Sequence, residues 1–341
     1  MRRRPLRTTR RDSADDAEGE EAGHATAAPA PIPAPSPIPG AAGHPSAPPP
    51  VSRIAGYRIL EPLGRGSMGS VYRAVQVSLD RVVAIKVLSP HLALNPSFAR
   101  RFEREAMAAA KLSHPNIIGA LDVGEENGVR YIVMEYVEGR TVAQILAGEG
   151  PLEEHRAVGI VSQVARALDH AHRAEFVHRD IKPANILVTK EGLAKLCDLG
   201  LAKEVAADAS QTDEGLAMGT PFYISPEQAR GERRIDIRSD IYALGATLYH
   251  MVTGRVPFPG PNPAVIMTRH LNDPLEPPDE VRESVSRATA QIIEKMMAKG
   301  RETRYQTPAE LLLDLQAWME GRLVVHQSIQ VRSRRRFRRY R

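Results

Sequence analysis

Between residues 57 and 137 the chain repeats short β-branched and aromatic runs separated by turn residues: "YRILEPL", "SVYRAVQV", "VVAIKVL" and "VRYIVMEYV". Runs of that length and composition predict strands. Between the third and fourth lies "PSFARRFEREAMAAAKL", which opens on proline and is rich in Ala, Arg and Glu, and so predicts a helix. Beyond residue 150 the period lengthens. In "LEEHRAVGIVSQVARALDHAHRA" the residues Ala157, Ile160, Val161, Val164 and Leu168 mark one apolar helix face. "SDIYALGATLYHMVTG" reads as a helix with a Ser239–Asp240 start and a Gly254 end. "TPAELLLDLQAWMEG" has Thr307 at the N-cap, Pro308 in the first turn and Gly321 as the stop. A strand-rich part followed by a larger helical part predicts two lobes and an α+β class. No internal repeat is evident.

The flanks lack this periodicity. Residues 1–52 run from a basic block, "MRRRPLRTTRR", through an acidic one, "DSADDAEGEE", to "PAPIPAPSPIPGAAGHPSAPPP". Such a segment cannot bury enough apolar surface to offset chain ordering, so it reads as a disordered tail or spacer, with docking to a proline-reading groove as the sharper alternative. Residues 321–341 end in "VRSRRRFRRYR", a solvated tail or a contact for an anionic membrane or another polyanion. The single cysteine, Cys197, excludes an intramolecular disulfide and suits a reducing compartment. With no apolar run of about 18 residues and no signal-like start, a cytoplasmic location without a membrane span is expected. The 42% hydrophobic and 26% charged composition fits a folded globular chain, and the formal charge of +5 is modest.

"LGRGSMGSVYRA", residues 63–74, carries Gly64, Gly66 and Gly69 in the spacing G-x-G-x-x-G. That spacing serves either a dinucleotide turn opening a helix or a hairpin over ATP. Val71, Ala74 and Val75 mixed with Tyr72 and Arg73 read as a strand, with no N-cap to begin a helix, so the glycines should join two antiparallel strands. "VVAIK" then puts Lys86 on an apolar strand, with Val83 and Ile85 on one face and Ala84 and Lys86 on the other. A lysine there needs an anionic partner, and Glu103 and Glu105 on the following helix are candidates.

The ordered set "LGRGSMGSV", "VAIK", "HRDIKPAN", "DLG" and "SPE" resembles the eukaryotic-like (Hanks-type) Ser/Thr protein kinase family, bacterial members above all, from about Tyr57 to Trp318. The resemblance implies a kinase domain over about 54–320, with an N-lobe of antiparallel sheet plus one helix to about 136 and a mainly helical C-lobe from about 137. It implies ATP and Mg²⁺ as cofactors, with Mn²⁺ a substitute, and protein Ser/Thr hydroxyls as acceptors. The glycine backbone, with Arg65, Ser67 and Met68 at the hairpin tip, would cover the phosphates. Leu63, Val71 and Ala84 would sandwich the adenine, Met134 would gate its pocket, and the backbone of Glu135 and Val137 would bond its edge. Lys86, held by Glu105, would contact the α- and β-phosphates. Asp180 would take the acceptor proton, Lys182 would stabilise the transferred phosphoryl, and Asn185 and Asp198 would hold the metal. Thr220 would bond Asp180 and Lys182, and Glu227 would pair with Arg304.

Leu199 stands where the family carries phenylalanine and keeps an apolar plug, while Cys197 beside it reads as a small buried residue. "DIKPAN" and "GTPFYISPEQ" resemble the Ser/Thr rather than the tyrosine type. Arg179 before Asp180 implies a switch by phosphorylation of Ser210 or Thr212, with trans-autophosphorylation in a homodimer. No specific nucleic-acid contact is expected. The competing classes are a pseudokinase scaffold and a small-molecule kinase of the same fold. The scaffold is disfavoured by the presence of Lys86, Asp180 and Asp198 together, the small-molecule kinase by the peptide platform implied by "SPEQARG".

Overall fold

The computed structural model describes residues 53–54, 56–66, 69–95, 100, 102–103, 107, 110–198 and 221–322. The expectations for segment 1–52, for Ser67, Met68, Glu105, Leu199, Ser210, Thr212 and Thr220, and for the arginine-rich end lie outside the described residues.

Six antiparallel strands form the first sheet: β1 (Arg53–Ile54), β2 (Tyr57–Gly66), β3 (Gly69–Gln76), β4 (Arg81–Leu88), β5 (Ala120–Glu126) and β6 (Val129–Glu135), in the order β1-β2-β3-β4-β6-β5. The four expected runs are strands, and β1 and β5 are additional. β5 carries "ALDVGEE" on the sheet edge, largely exposed, so it has no apolar alternation to betray it. The register sorts the side chains. Ile85 lies opposite Tyr72 and Val133, and Val83 opposite Ala74, so these pack with Tyr57, Val87 and Tyr131 as one apolar cluster. On the other face Leu88 and Ile132 pack with Leu92 and Phe102, with Met134 against them. A strand buried on both faces reads as a continuous apolar run, which is why "VVAIKVL" shows no polar alternation. The described positions of the expected helix, 100, 102–103, 107 and 110–111, are helical.

A second sheet, β7 (Gly139–Thr141), β8 (Ile186–Thr189) and β9 (Ala194–Leu196), lies among helices. The helix Glu154–Arg173 buries Ala157, Ile160, Val161, Val164 and Leu168, the face read from its period. The helix Ile237–Thr253 is buried nearly all round, with only Arg238 and His250 partly exposed, so it forms the axis of this lobe. Its cap corrects the expectation: the side chain of Asp236 accepts from the backbone N–H of Arg238, and Gly254 closes the helix at φ 75°. Ser239 and Asp240 are buried inside the first turns instead. The helix Pro308–Met319 has Thr307 as its cap and Gly321 in the left-handed conformation just beyond it, as expected. Among the described residues no helix is long and apolar enough to cross a membrane.

Candidate active site

The glycine stretch is a hairpin between strands. β2 and β3 run antiparallel to the Gly66–Gly69 pair that closes the ladder. Gly69 is required on steric grounds, because a Cβ there would fall 1.8 Å from the Val87 carbonyl oxygen. Around Gly64 a Cβ would meet nothing within 4 Å. Across the sheet Gly64 lies opposite Val71, Val71 opposite Lys86, and Ala84 opposite Met134. Direct partners share a face, so Val71, Ala84, Lys86 and Met134 line the same side of the sheet. Leu63 is exposed, Val71 and Met134 are half-buried on this side, and Glu135, at the end of β6, and Val137, in the connection to β7, are also half-buried. The backbone N–H of Glu135 donates to the Gly119 carbonyl (3.0 Å).

Lys86 is 7% exposed, and its ammonium lies 2.8 Å from Asp198 Oδ1. An anion that this buried lysine meets is therefore a carboxylate 112 residues away, while Glu103, one of the two candidate glutamates, pairs with Arg130. Enclosure by protein pushes the Asp198 carboxyl up, but the charge of Lys86 and its hydrogen bond outweigh that, holding the group below the usual carboxylate range. Its side chain remains 43% exposed, so a face of the carboxylate is open to a ligand. Asp198 has φ 56° and Arg179 φ 66°, conformations that cost a non-glycine residue on the order of 1–3 kcal/mol. Each is held by neighbours, Arg179 through its backbone by Asp240 and Gln228, Asp198 by Lys86.

The loop around Asp180 shows how it is held. The backbone N–H groups of His178 and Arg179 each donate to a separate oxygen of Asp240 at 2.7 Å. Asp240 is fully buried in the helix Ile237–Thr253, and burial pushes its carboxyl up to about 7 against those two hydrogen bonds. Gln228 Nε2 donates to the Arg179 carbonyl (2.9 Å). The backbone N–H of Asp180 donates to His178 Nδ1 (3.3 Å), which makes Nδ1 the acceptor and assigns the proton to Nε2. Nε2 then donates to the Cys197 carbonyl (3.2 Å).

Within this frame Lys182 Nζ lies 2.7 Å from Asp180 Oδ2, and Asn185 Nδ2 donates to the same oxygen (3.0 Å) and to the Asp180 carbonyl (2.8 Å). With its amide nitrogen so used, Asn185 has its amide oxygen left as a metal ligand. Cys197 N–H donates to the Asn185 carbonyl (3.0 Å), which brings Asp198, the next residue, alongside. An amide oxygen and a carboxylate are a hard-oxygen donor pair, the kind Mg²⁺ uses when phosphate oxygens complete its shell. Among the described residues no group of three or more His, Cys, Asp or Glu forms a self-sufficient metal cage. Cys197 is half-buried, and burial raises its thiol well above the ordinary value, which leaves it a poor nucleophile.

Below the loop, the short helix Pro226–Ala229 is capped by Ser225, whose backbone and side chain form a reciprocal pair with Gln228. Glu227 accepts two hydrogen bonds from Arg304 (2.7 and 2.9 Å) and one from the Ser239 hydroxyl. Both ionic side chains are almost fully buried, and Arg304 spends its remaining donors on the carbonyls of Ala298, Arg238 and Lys299. The Glu227–Arg304 pair expected from the sequence is thus present. The sequence does not single out Asp240 and Gln228 as supports of the loop. The available signal is an aspartate one turn inside an otherwise apolar helical run.

A glycine hairpin over a two-faced sheet, joined to a helical lobe by a Lys86–Asp198 contact, defines the two-lobed protein kinase fold. The chain belongs to the protein kinase domain family, whose model matches residues 57–314. It is 42% identical over 264 residues to the serine/threonine-protein kinase PrkC of Bacillus subtilis, covering 77% of this chain and 40% of that one. It is 41% identical over 264 residues to PknB of Mycobacterium tuberculosis, covering 76% of this chain and 42% of that one. The chain therefore spans about two fifths of the length of these curated relatives. Among solved structures, the PknI kinase domain of Mycobacterium tuberculosis superposes with a TM-score of 0.61 at 30% identity, over 77% of this chain and 96% of that one. Protein kinases use ATP and a divalent metal.

Proposed function

We propose that this chain transfers the γ-phosphoryl group of ATP to serine and threonine hydroxyls of proteins, itself included. The observation that carries the reading is the Asp180 carboxylate, bonded by Lys182 and Asn185 on a loop gripped from beneath by Asp240. Phosphoryl transfer through a loose transition state asks mainly for positioning and charge neutralisation. Asp180 receives the proton of the acceptor hydroxyl as its oxygen bonds to the γ-phosphorus, and the bond from that phosphorus to the bridging oxygen breaks, releasing ADP. Lys182 lies beside that carboxylate and offsets negative charge on the transferred group. Lys86 reaches the α- and β-phosphates, and the hairpin backbone from Leu63 to Gly69 closes over them.

The oxygen donors Asn185 and Asp198 fit a divalent ion, Mg²⁺ or Mn²⁺, whose contribution when bound is neutralisation of phosphate charge. Val71, Ala84 and Met134, on one face of the sheet, form the apolar side of the adenine site. "DIKPAN" and the Glu227–Arg304 brace favour a protein acceptor presented to a Ser/Thr-type loop. Arg179, directly before the base, is suited to receive a phosphate carried by Ser210 or Thr212, which would make autophosphorylation the switch. The arginine-rich end would add attraction to an anionic membrane surface.

The test is label transfer from ATP to the chain itself and to a generic basic protein, with acid hydrolysis to identify the modified residue. Asp180→Asn is expected to lower the rate about 10²- to 10⁴-fold without changing the melting temperature. Absence of transfer from the wild type with either Mg²⁺ or Mn²⁺ would overturn the reading, and label on tyrosine alone would overturn the acceptor class.

A further inference from the structure

Lys195 lies on β9, three residues before Asp198, and is 9% exposed. Its ammonium lies 2.9 Å from each oxygen of the Glu135 carboxylate, across from one sheet to the other. Nothing in the phosphoryl-transfer scheme above uses this pair. The two partners are unequally placed. Glu135 is 41% exposed and water can satisfy it, whereas the ammonium is enclosed and depends on the carboxylate.

The lysine is also the fixed member. Its neighbours in sequence are both pinned: Ala194 N–H donates to Gln163 Oε1 (2.9 Å), and its carbonyl accepts from Asn116 Nδ2 (2.8 Å). Leu196 N–H donates to the Asn116 carbonyl (2.8 Å), and the Leu196 carbonyl accepts from Ile118 N–H (2.9 Å). Asn116 is itself bonded to Gln163 (3.1 Å) on the long helix Glu154–Arg173. Lys195 is therefore a post set in a braced strand. Glu135 is where β6 ends and the chain leaves the first sheet for β7.

We propose that Lys195 is a positioning residue for nucleotide binding: by gripping the Glu135 side chain it fixes the adenine-side backbone relative to β9, the strand that leads into Asp198. The inference rests on the ATP-dependent reading above. A site whose two ends are held at a set spacing loses less freedom when a ligand bridges them, so the pair should appear in nucleotide affinity and not in the chemical step.

The experiment uses the whole chain, with titration of the fluorescent nucleotide mant-ADP in Mg²⁺ alongside steady-state kinetics in ATP. Lys195→Met is expected to raise the mant-ADP Kd and the KM for ATP together, about five- to thirty-fold, for loss of one charge-assisted contact. kcat should stay within about threefold, and Lys195→Arg should restore affinity. Glu135→Gln should reproduce the rise, and the double variant Lys195→Met/Glu135→Gln should be no weaker than the worse single one. Glu135→Gln also carries the test should Lys195→Met fail to fold. A lowered melting temperature with unchanged Kd and KM would overturn the proposal, reducing the pair to a structural one. So would a fall in KM or additive losses in the double variant. If the wild type binds mant-ADP and turns over ATP, such results overturn the positioning role alone. If it does neither, the kinase reading fails and this inference with it.

Discussion

The two ends of the candidate site are built on opposite plans. The loop carrying Asp180 is gripped from below, through its backbone N–H groups, by a fully buried carboxylate on a helix that is buried nearly all round. The glycine hairpin is the reverse. From Leu60 to Gly66 every residue of β2 is exposed, its ladder with β3 shifts register twice, and Gly64 has open space around it. A group that must take a proton from a defined direction needs fixed geometry, while a cover that must admit and release a nucleotide needs room. Stiffness is placed where chemistry is proposed, and looseness where exchange is.

The strongest way to break this contrast is to attack the support of the held end. Arg304→Ala leaves Glu227 charged and buried without its bidentate partner, which costs about 3–5 kcal/mol. At roughly 2–4 °C per kcal/mol for a domain of this size, thermal denaturation should show a fall on the order of 10 °C. Asp240→Asn removes one of the two oxygens that accept from the loop. We expect a loss of about 1–3 kcal/mol in urea unfolding and a fall in kcat of about 10- to 100-fold, with the KM for ATP little changed.

The hairpin offers a pair of substitutions with opposite outcomes. Gly69→Ala places a methyl group against the Val87 backbone and should cost about 1–3 kcal/mol. Gly64→Ala meets nothing and should stay within about 0.5 kcal/mol of the wild type. Equal effects of the two would erase the proposed difference between the closed and open parts of the hairpin.

A titration tests the helical lobe that supports the held end. His270 is fully buried between Tyr242 and the Phe222 carbonyl, and desolvation, then the charge of Lys299, lowers its pKa from 6.5 to about 3. The unfolded chain binds a proton that the folded one refuses, so stability should fall as pH drops below 6.5, until about 3. The expected slope is about 1.4 kcal/mol per pH unit. His270→Gln should flatten that slope when urea unfolding is compared at pH 6 and pH 5, roughly a unit apart on this scale.

Much of this arrangement is legible in the chain because it is written in local pattern. The β-branched residues after Gly69 distinguish a hairpin from a helix turn, and the period of Ala157, Ile160, Val161, Val164 and Leu168 gives the buried face of its helix. What escapes is of two kinds. β5 has few apolar residues because it is an edge strand, so pairing with β6 and not composition makes it a strand. Asp240 and Lys195 act through contacts 61 and 60 residues away, and nothing near them in sequence reveals the partner. Local pattern instead makes Asp240 part of a helix start, a role that Asp236 fills. The Lys86–Asp198 contact spans 112 residues and is likewise invisible in local pattern.

The grip of Asp240 falls on N–H groups, and every residue but proline supplies one. It is therefore indifferent to what side chains the loop displays. Arg179 and Asp180 can be exchanged for residues of other charge or length while the backbone keeps its course, so shape and reactivity are separately inherited here. Variation that silences the reaction need not unmake the scaffold, and an inert copy of this chain could keep its fold and its binding surfaces.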